Sequence, residues 1–178
     1  MSKDVSAILL DEQTIQKRVS EIAACISKDY EHKTPVIISV LKGSFIFLAD
    51  LVRCFTIPVE IDFLAVSSYG KSTKSSGVVS INKDLDIDIS NRDVIIVEDI
   101  VDSGLSLQYI VDYIGKHGAA SVKTCVLLDK PSAHKDEIKI DYKGFDIGNK
   151  FVVGYGLDFA EKYRNLPYVG ILKEEIYK

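Results

Sequence analysis

Val94-Ile-Ile-Val-Glu-Asp-Ile-Val-Asp-Ser-Gly-Leu-Ser106 decides how the rest of this chain is read. The first four residues, 94–97, form a continuous apolar run, as expected of a strand covered on both faces. Two adjacent acids follow, Glu98 and Asp99, and a third, Asp102, opens a short Ser/Gly loop. Beyond the loop, Leu107, Ile110, Val111 and Ile114 repeat at helical spacing, and Gly118 suits a helix C-terminus. A buried strand therefore delivers carboxylates, then backbone amides, to one point at its carboxyl end. Unpaired N–H groups and the dipole at a helix N-terminus attract phosphate. Ser103 and Ser106 add hydroxyl donors, and Gly104 lets the backbone approach closely. Glu98 and Asp99 can accept from ribose hydroxyls or hold Mg2+ through water, and Asp102 can act as a general base. A lone Asp-Ser-Gly is more often only an N-cap. The whole pattern suits a ligand that carries a sugar, a phosphate and a metal ion.

Outward from this stretch, helix and strand signals alternate. Asp11 can cap a helix that buries Ile15, Val19, Ile22 and Ile26. Pro35 precedes an apolar strand, Val36 to Leu41, followed by Lys42-Gly43-Ser44 and a helix carrying Phe45, Leu48, Leu51 and Val52. Residues 58–66 alternate as a strand with Val59, Ile61, Phe63 and Ala65 on one side. Residues 67–77 hold almost no apolar side chains and read as a loop that is mobile without a partner. A strand resumes over Val78 to Ile81, another spans Val122 to Leu128, and Asp129-Lys130-Pro131 follows it. A polar segment then leads to Phe151, and a short strand from Tyr168 to Leu172 precedes a charged tail. Such alternation predicts an α/β fold with a parallel sheet, in which ligands bind beyond the strand carboxyl ends. Lys42, Glu98, Asp99, Asp102 and Lys130 all follow predicted strands and can converge on one cleft.

The 178 residues fit one domain, 1–178, with a sizeable core. A balance of 22 basic against 26 acidic residues, net −4, argues against nonspecific nucleic-acid binding. Cys25, Cys54 and Cys125 are widely spaced and form no C-x-x-C pair, which reads as reduced thiols. His32, His117 and His134 are scattered, so no zinc site is expected. The first residues lack a signal-peptide apolar core and no apolar run is long enough for a membrane span, so a cytoplasmic location is expected.

The stretch quoted at the outset closely resembles the phosphoribosyl pyrophosphate (PRPP) motif of type I phosphoribosyltransferases. From about Val36 to Leu172 the chain resembles the hypoxanthine-guanine phosphoribosyltransferase family, its bacterial branch above all. The landmarks are Leu41-Lys42-Gly43, Ser68-Tyr69, the PRPP motif, Lys130, and Phe151-Val152 through Asp158 to Arg164. The PRPP motif is shared with relatives that use other bases, whereas Lys130 and the Phe-Val…Leu-Asp segment point to 6-oxopurines.

The resemblance implies the type I phosphoribosyltransferase fold, a mostly parallel central sheet flanked by helices with a small base-binding hood, and a base-binding segment over about 130–165. It implies a cytoplasmic, Mg2+-dependent purine-salvage enzyme, a pentosyltransferase, usually a homodimer or homotetramer. A 6-oxopurine and PRPP would give IMP or GMP and pyrophosphate. Asp102 matches the general base near purine N7. The backbone of 102–106, including Gly104 and Leu105, with Ser103 and Ser106, would hold the 5′-phosphate. Glu98 and Asp99 would contact the ribose hydroxyls and a Mg2+, and Asp158 a second Mg2+. Lys42, Gly43 and Arg164 would meet pyrophosphate, with a cis peptide often found at the position of Leu41–Lys42. The loop bearing Ser68 and Tyr69 would close over the reacting centre. Lys130 would donate to O6, Phe151 would stack on the base, and the Val152 carbonyl would accept from the purine edge. Taken singly, Lys42 and Lys130 read equally as solvated lysines, Phe151 as a core aromatic, and Asp158 and Arg164 as surface ion-pair partners.

The phosphate loop departs from the family pattern, which often carries Thr and a polar or basic residue. Here Ser replaces Thr and Leu105 supplies no charge, although backbone amides do most of the binding. A xanthine-preferring transferase is the nearest alternative. A regulatory nucleic-acid-binding protein of the same fold should show a basic face, which a net charge of −4 does not favour. A flavodoxin-like receiver would need its acid pair after the first strand, and a dinucleotide-binding domain would need G-x-G-x-x-G.

Overall fold

A computed structural model describes residues 2–68 and 79–178. Along the chain, β1 (Val5–Leu10) and α1 (Glu12–Asp29) are followed by β2 (Val36–Leu41), α2 (Phe45–Arg53), β3 (Glu60–Ser68) and β4 (Val79–Lys83). Then come β5 (Asp93–Val101), α3 (Leu105–Lys116), β6 (Ser121–Asp129), β7 (Tyr142–Asp146), β8 (Val152–Val153), β9 (Val169–Leu172) and the short α4 (Glu174–Tyr177).

The main sheet has the order β4-β3-β2-β5-β6-β7. Its pairings are parallel except that of β4 with β3 at one edge. Successive side chains on a strand face opposite ways, and both faces here are covered. Ile37, Ile95, Val97, Cys125 and Leu127 join the core under α1 and α2. Val36, Ile38, Val40, Val94, Ile96 and Val126 join the core under α3. All four residues of 94–97 are fully buried, which is why β5 reads as an unbroken apolar run. Each such side chain contributes about 1.5–3 kcal/mol through burial. Asp11 caps α1 by accepting from the Thr14 N–H at 2.7 Å, and Ile15, Val19, Ile22 and Ile26 are buried at the expected spacing.

Four features differ from the sequence reading. β3 does not present one apolar face: Phe63 packs towards α1 and α2, Leu64 and Val66 towards α3, and Ile61 is 40 % exposed. The expected polar segment before Phe151 contains β7, an edge strand paired with β6 through Cys125↔Tyr142 and Leu128↔Phe145. Its Lys143 and Gly144 carbonyls are taken up by the Arg18 guanidinium at 2.7 and 3.1 Å, which blunts the edge. β1, absent from the sequence reading, pairs antiparallel with β9. Residues 67 and 68 of the expected loop at 67–77 belong to β3, which runs on to Ser68; Tyr69 and the residues to 78 lie outside the described residues.

β1, β9 and β8 form a second, antiparallel sheet, the hood. Val152, Tyr155, Leu157 and Val169 carry it onto the core under α1 and α2. The buried Tyr155 hydroxyl donates to Asp50 on α2 at 2.7 Å, and Gln16 on α1 donates to the same oxygen at 2.7 Å. The hood is thereby tied to both helices. Among the described residues, no helix is long and apolar enough to cross a membrane.

The sheet order reverses between β2 and β5. The chain leaves β2 through α2 towards β3 on one side, and leaves β5 through α3 towards β6 on the other. β2 and β5 pair only from Val36↔Val94 to Ser39↔Val97, while β5 and β6 stay paired to Val101↔Asp129. The strands therefore part just before Glu98, and open α/β sheets place their ligands in such a crevice.

Candidate active site

The crevice gathers the acids of β5, the turn after β2, the loop before α3, the end of β6 and the hood. Glu98 and Asp99 lie within β5, not after it. Being adjacent on a strand, they point to opposite sides. Glu98 lines a cavity of about 120 Å3 together with Asp102, Ser103, Gly104 and Ser106. Asp99 faces the turn after β2 and a second cavity of about 290 Å3. Burial, then the neighbouring Asp99 charge, pushes the Glu98 carboxyl well above the usual carboxylate range. Burial also pushes Asp99 up to about 6, against the pull of the Ile100 N–H and the Arg164 guanidinium; the Asp158 charge adds to the rise.

The turn after β2 is built from buried hydroxyls. Ser39 and Ser44, both fully buried, lie 2.6 Å apart through their Oγ atoms, and Ser44 donates to the Val40 carbonyl at 2.6 Å. The Leu41–Lys42 peptide bond is cis. A Cβ at Gly43 would collide with the Asp99 carboxylate, so glycine is what lets that carboxylate lie against the turn. Lys42 reaches Glu161 at 3.1 Å, bridging the turn and the hood.

The loop before α3 forms as expected, although the helix starts at Leu105, so Leu105 and Ser106 belong to its first turn. Gly104 adopts φ +81, and its Cα lies against Ile138. A glycine at the N-cap offers no side-chain acceptor, which leaves the first N–H groups of α3 to an incoming anion. Leu105 is partly buried and Ser106 exposed.

Asp99, Ile100, Asp102, Lys130, Phe151, Val152, Leu157 and Asp158 line the larger cavity. Lys130 is buried, and its ammonium donates to Oδ2 of the exposed Asp102 at 3.0 Å. The strand ends set this pair: the Lys130 N–H donates to the Val101 carbonyl at 2.9 Å, one residue before Asp102. Asp129, before Lys130, is buried between His134 at 2.6 Å and Lys143 at 3.3 Å, which fixes the turn. Phe151 is 37 % exposed and Val152 is buried. On the far side, Arg164 donates to the Gly156 carbonyl at 2.8 Å and pairs with Asp158 at 2.8 Å. Tyr155, Ala160, Glu161 and Tyr163 all have positive φ in this loop, a conformation unusual for side chains other than glycine.

The structure thus brings together Lys42, Gly43, Glu98, Asp99, Asp102, Ser103, Gly104, Ser106, Lys130, Phe151, Val152, Asp158 and Arg164, while the Leu105 side chain lines neither cavity. Ser68 ends β3, and Tyr69 lies outside the described residues. Sequence reasoning does not single out Ile100, Leu157 or Glu161. Ile100 and Leu157 each sit one residue from a chosen acid, so strand period and adjacency carried a signal; Glu161 carried none.

Among the described residues, no three His, Cys, Asp or Glu side chains stand ready to hold one metal ion. Mg2+ commonly takes one or two carboxylates and completes its shell with water and substrate phosphates. The Asp99 and Asp158 carboxylates share the cavity, and Asp158 helps raise Asp99, so the donor set fits such an ion.

The chain belongs to the phosphoribosyl transferase domain family, whose pattern matches residues 6–160. It is 49 % identical over 178 residues to the hypoxanthine-guanine phosphoribosyltransferase of Bacillus subtilis, covering 100 % of this chain and 99 % of that one. It is also 49 % identical over 177 residues to the bifunctional protein TilS/HprT of Listeria monocytogenes, covering 99 % of this chain but 27 % of that longer protein. The crystal structure of a hypoxanthine phosphoribosyltransferase from Staphylococcus aureus superposes with a TM-score of 0.96 at 44 % identity, covering 100 % of this chain and 97 % of that one.

Proposed function

We propose that this chain transfers the 5-phosphoribosyl group of PRPP to N9 of hypoxanthine or guanine, giving IMP or GMP and pyrophosphate in purine salvage. The observation that carries this reading is the Lys130–Asp102 pair in a cavity walled by Phe151, Ile100 and Leu157. A purine in that cavity meets a donor for its O6 and an acceptor for its N7–H on one edge.

The 5′-phosphate sits on the loop 102–106, held by the amides before and within the first turn of α3 and by the Ser103 and Ser106 hydroxyls. Glu98 accepts from ribose hydroxyls, and Asp99 holds the other side of the sugar. Lys42, Gly43 and Arg164 bind pyrophosphate. Asp99 and Asp158 would hold Mg2+, which would neutralise charge on the pyrophosphate. The C1′–O bond breaks with its electron pair leaving on pyrophosphate, and the N9–C1′ bond forms. The N7 proton passes to the Asp102 carboxylate. Positive charge on the ribose ring is akin to that of glycoside hydrolysis, and the nearby carboxylates stabilise it.

Lys130 sets the base class. The 6-amino group of adenine would place donor against donor, and the lost hydrogen bond costs about 1–3 kcal/mol. The Val152 carbonyl accepts from the 2-amino group of guanine. The working assembly is a homodimer or homotetramer, for which Phe45 and Ile61, 43 % and 40 % exposed, offer apolar area. A cytoplasmic location fits the free thiols of Cys25, Cys54 and Cys125.

Product identity tests the reading. Hypoxanthine, PRPP and Mg2+ should give IMP and pyrophosphate in equal amounts by chromatography and phosphate assay. Pyrophosphate without nucleotide would mean simple PRPP hydrolysis and would remove the transferase assignment.

A further inference from the structure

The Phe151 ring is a wall between two cavities. On one side lies the base cavity. On the other, a cavity of about 560 Å3 opens between the hood strands and α4, with Ser6, Ile171, Glu174 and Tyr177 in its lining. The Tyr177 ring is stacked on Phe151, with centroids 4.8 Å apart and planes 22° from parallel. Tyr177 lines the second cavity and is absent from the lining of the first. Its ring therefore backs Phe151 from behind and leaves the base side open. Phe159 meets the same ring edge-on at 5.6 Å.

Phe151 is 37 % exposed, so dense packing does not hold its ring on all sides. Its backbone is fixed, since its carbonyl accepts from the Leu172 N–H at 3.0 Å. The ring itself depends on its aromatic neighbours. The start of α4 is anchored to the residues before β1: the Lys173 N–H donates to the Asp4 carbonyl at 2.9 Å, and within the turn the Ile176 N–H donates to the Lys173 carbonyl at 3.1 Å. Tyr177 is itself partly buried and packs with the small hood core of Val153, Tyr163, Leu166 and Leu172.

We infer that Tyr177 is a positioning residue for the purine, holding Phe151 parallel to the incoming base so that base, Phe151 and Tyr177 form one stack. This rests on the function proposed above. Offset-stacked rings attract through their quadrupoles, and a ring already set at the right tilt loses less freedom when the base arrives. The effect belongs to base binding and not to PRPP: Lys42, Gly43, Asp99, Asp158, Arg164 and the loop 102–106 are all absent from the lining of the cavity that Tyr177 faces.

Steady-state kinetics of the full chain, with hypoxanthine and PRPP varied in turn, test this on Tyr177→Ala, Tyr177→Leu and Tyr177→Phe. Ala and Leu should raise the hypoxanthine KM roughly threefold to tenfold and leave the PRPP KM within about twofold, while Phe restores the wild-type value. The leucine variant keeps apolar bulk without a flat face, so a defect shared by Ala and Leu but absent in Phe is specific to stacking. An unchanged hypoxanthine KM in Tyr177→Ala, equal rises in both KM values, or full activity in Tyr177→Leu would overturn the inference while leaving the proposed function intact. A wild-type chain that converts no 6-oxopurine would overturn both.

Discussion

The Lys130 ammonium stands 3.0 Å from Oδ2 of Asp102, and so joins the carboxyl ends of two neighbouring strands of the main sheet, β5 and β6. The two residues are unequal partners: Lys130 is buried, whereas the Asp102 side chain is 59 % exposed. In the proposed function, a purine entering the cavity takes over both groups, with O6 accepting from Lys130 and N7–H donating to Asp102. The pair keeps a buried ammonium neutralised until then.

Asp102→Asn keeps the shape and removes the proton acceptor. Its kcat should fall about 10²- to 10⁴-fold while the PRPP KM stays within about threefold. Steady-state kinetics decide this, and an unchanged kcat would remove Asp102 as the base.

Lys130→Ala takes away the proposed donor to O6. The hypoxanthine KM should rise by roughly 5- to 150-fold, and discrimination against adenine should narrow, with a smaller effect on PRPP. Equal losses for PRPP and hypoxanthine would show that Lys130 only stabilises the fold.

Gly43→Ala drives a methyl group into the Asp99 carboxylate. Overpacking of this kind costs about 1–3 kcal/mol. Because the displaced groups face PRPP in the proposed function, the cost should appear as a PRPP KM raised about tenfold, with the hypoxanthine KM little changed. Wild-type kinetics for both substrates would contradict the placement of Asp99 against the turn.

Asp99 and Glu98 both have raised carboxyl values, about 6 for Asp99 against an ordinary 3.8. In the folded protein they keep protons that the unfolded chain has already lost. Without Mg2+ their contribution to stability should therefore fall as pH rises from about 4 through about 6, the window of the Asp99 shift. Acids held low by their partners, Asp62 and Asp93 among them, work the opposite way in the lower part of that range. The melting temperature of the wild type is therefore read against that of Asp99→Asn, and the difference, wild type minus variant, should decline across the window. Mg2+ needs the ionised form and should raise the melting temperature more at neutral pH than below the window. A difference that climbs over the window would contradict the burial of Asp99.

The centre of the sheet was legible because its physics is local. Residues 94–97 are apolar on both faces, Leu107, Ile110 and Ile114 follow a helical period, and both patterns survive folding unchanged. Two edge strands were not legible, although β4, at the other edge of the main sheet, was expected over Val78 to Ile81. β7 is Tyr-Lys-Gly-Phe-Asp, and its place comes from pairing with β6 and from Arg18, neither of which leaves a period in the sequence. β1 is mostly exposed and depends on β9, far along the chain. The site followed the same division. Asp102, Ser103 and Gly104 announce themselves by sitting between strand and helix. The division of Glu98 from Asp99 follows from the two-residue strand period, once Asp99 is known to lie inside β5. The Lys42–Glu161 bridge joins distant loops and has no local signature.

Initial rates with hypoxanthine and with adenine, at equal PRPP and Mg2+ and followed by ultraviolet absorbance, test the central claim most directly. Rapid conversion of hypoxanthine with adenine slower by about tenfold or more is the expected result, given the cost of facing Lys130 with a second donor. Comparable rates for the two bases would contradict a pocket that reads the 6-oxo group through Lys130.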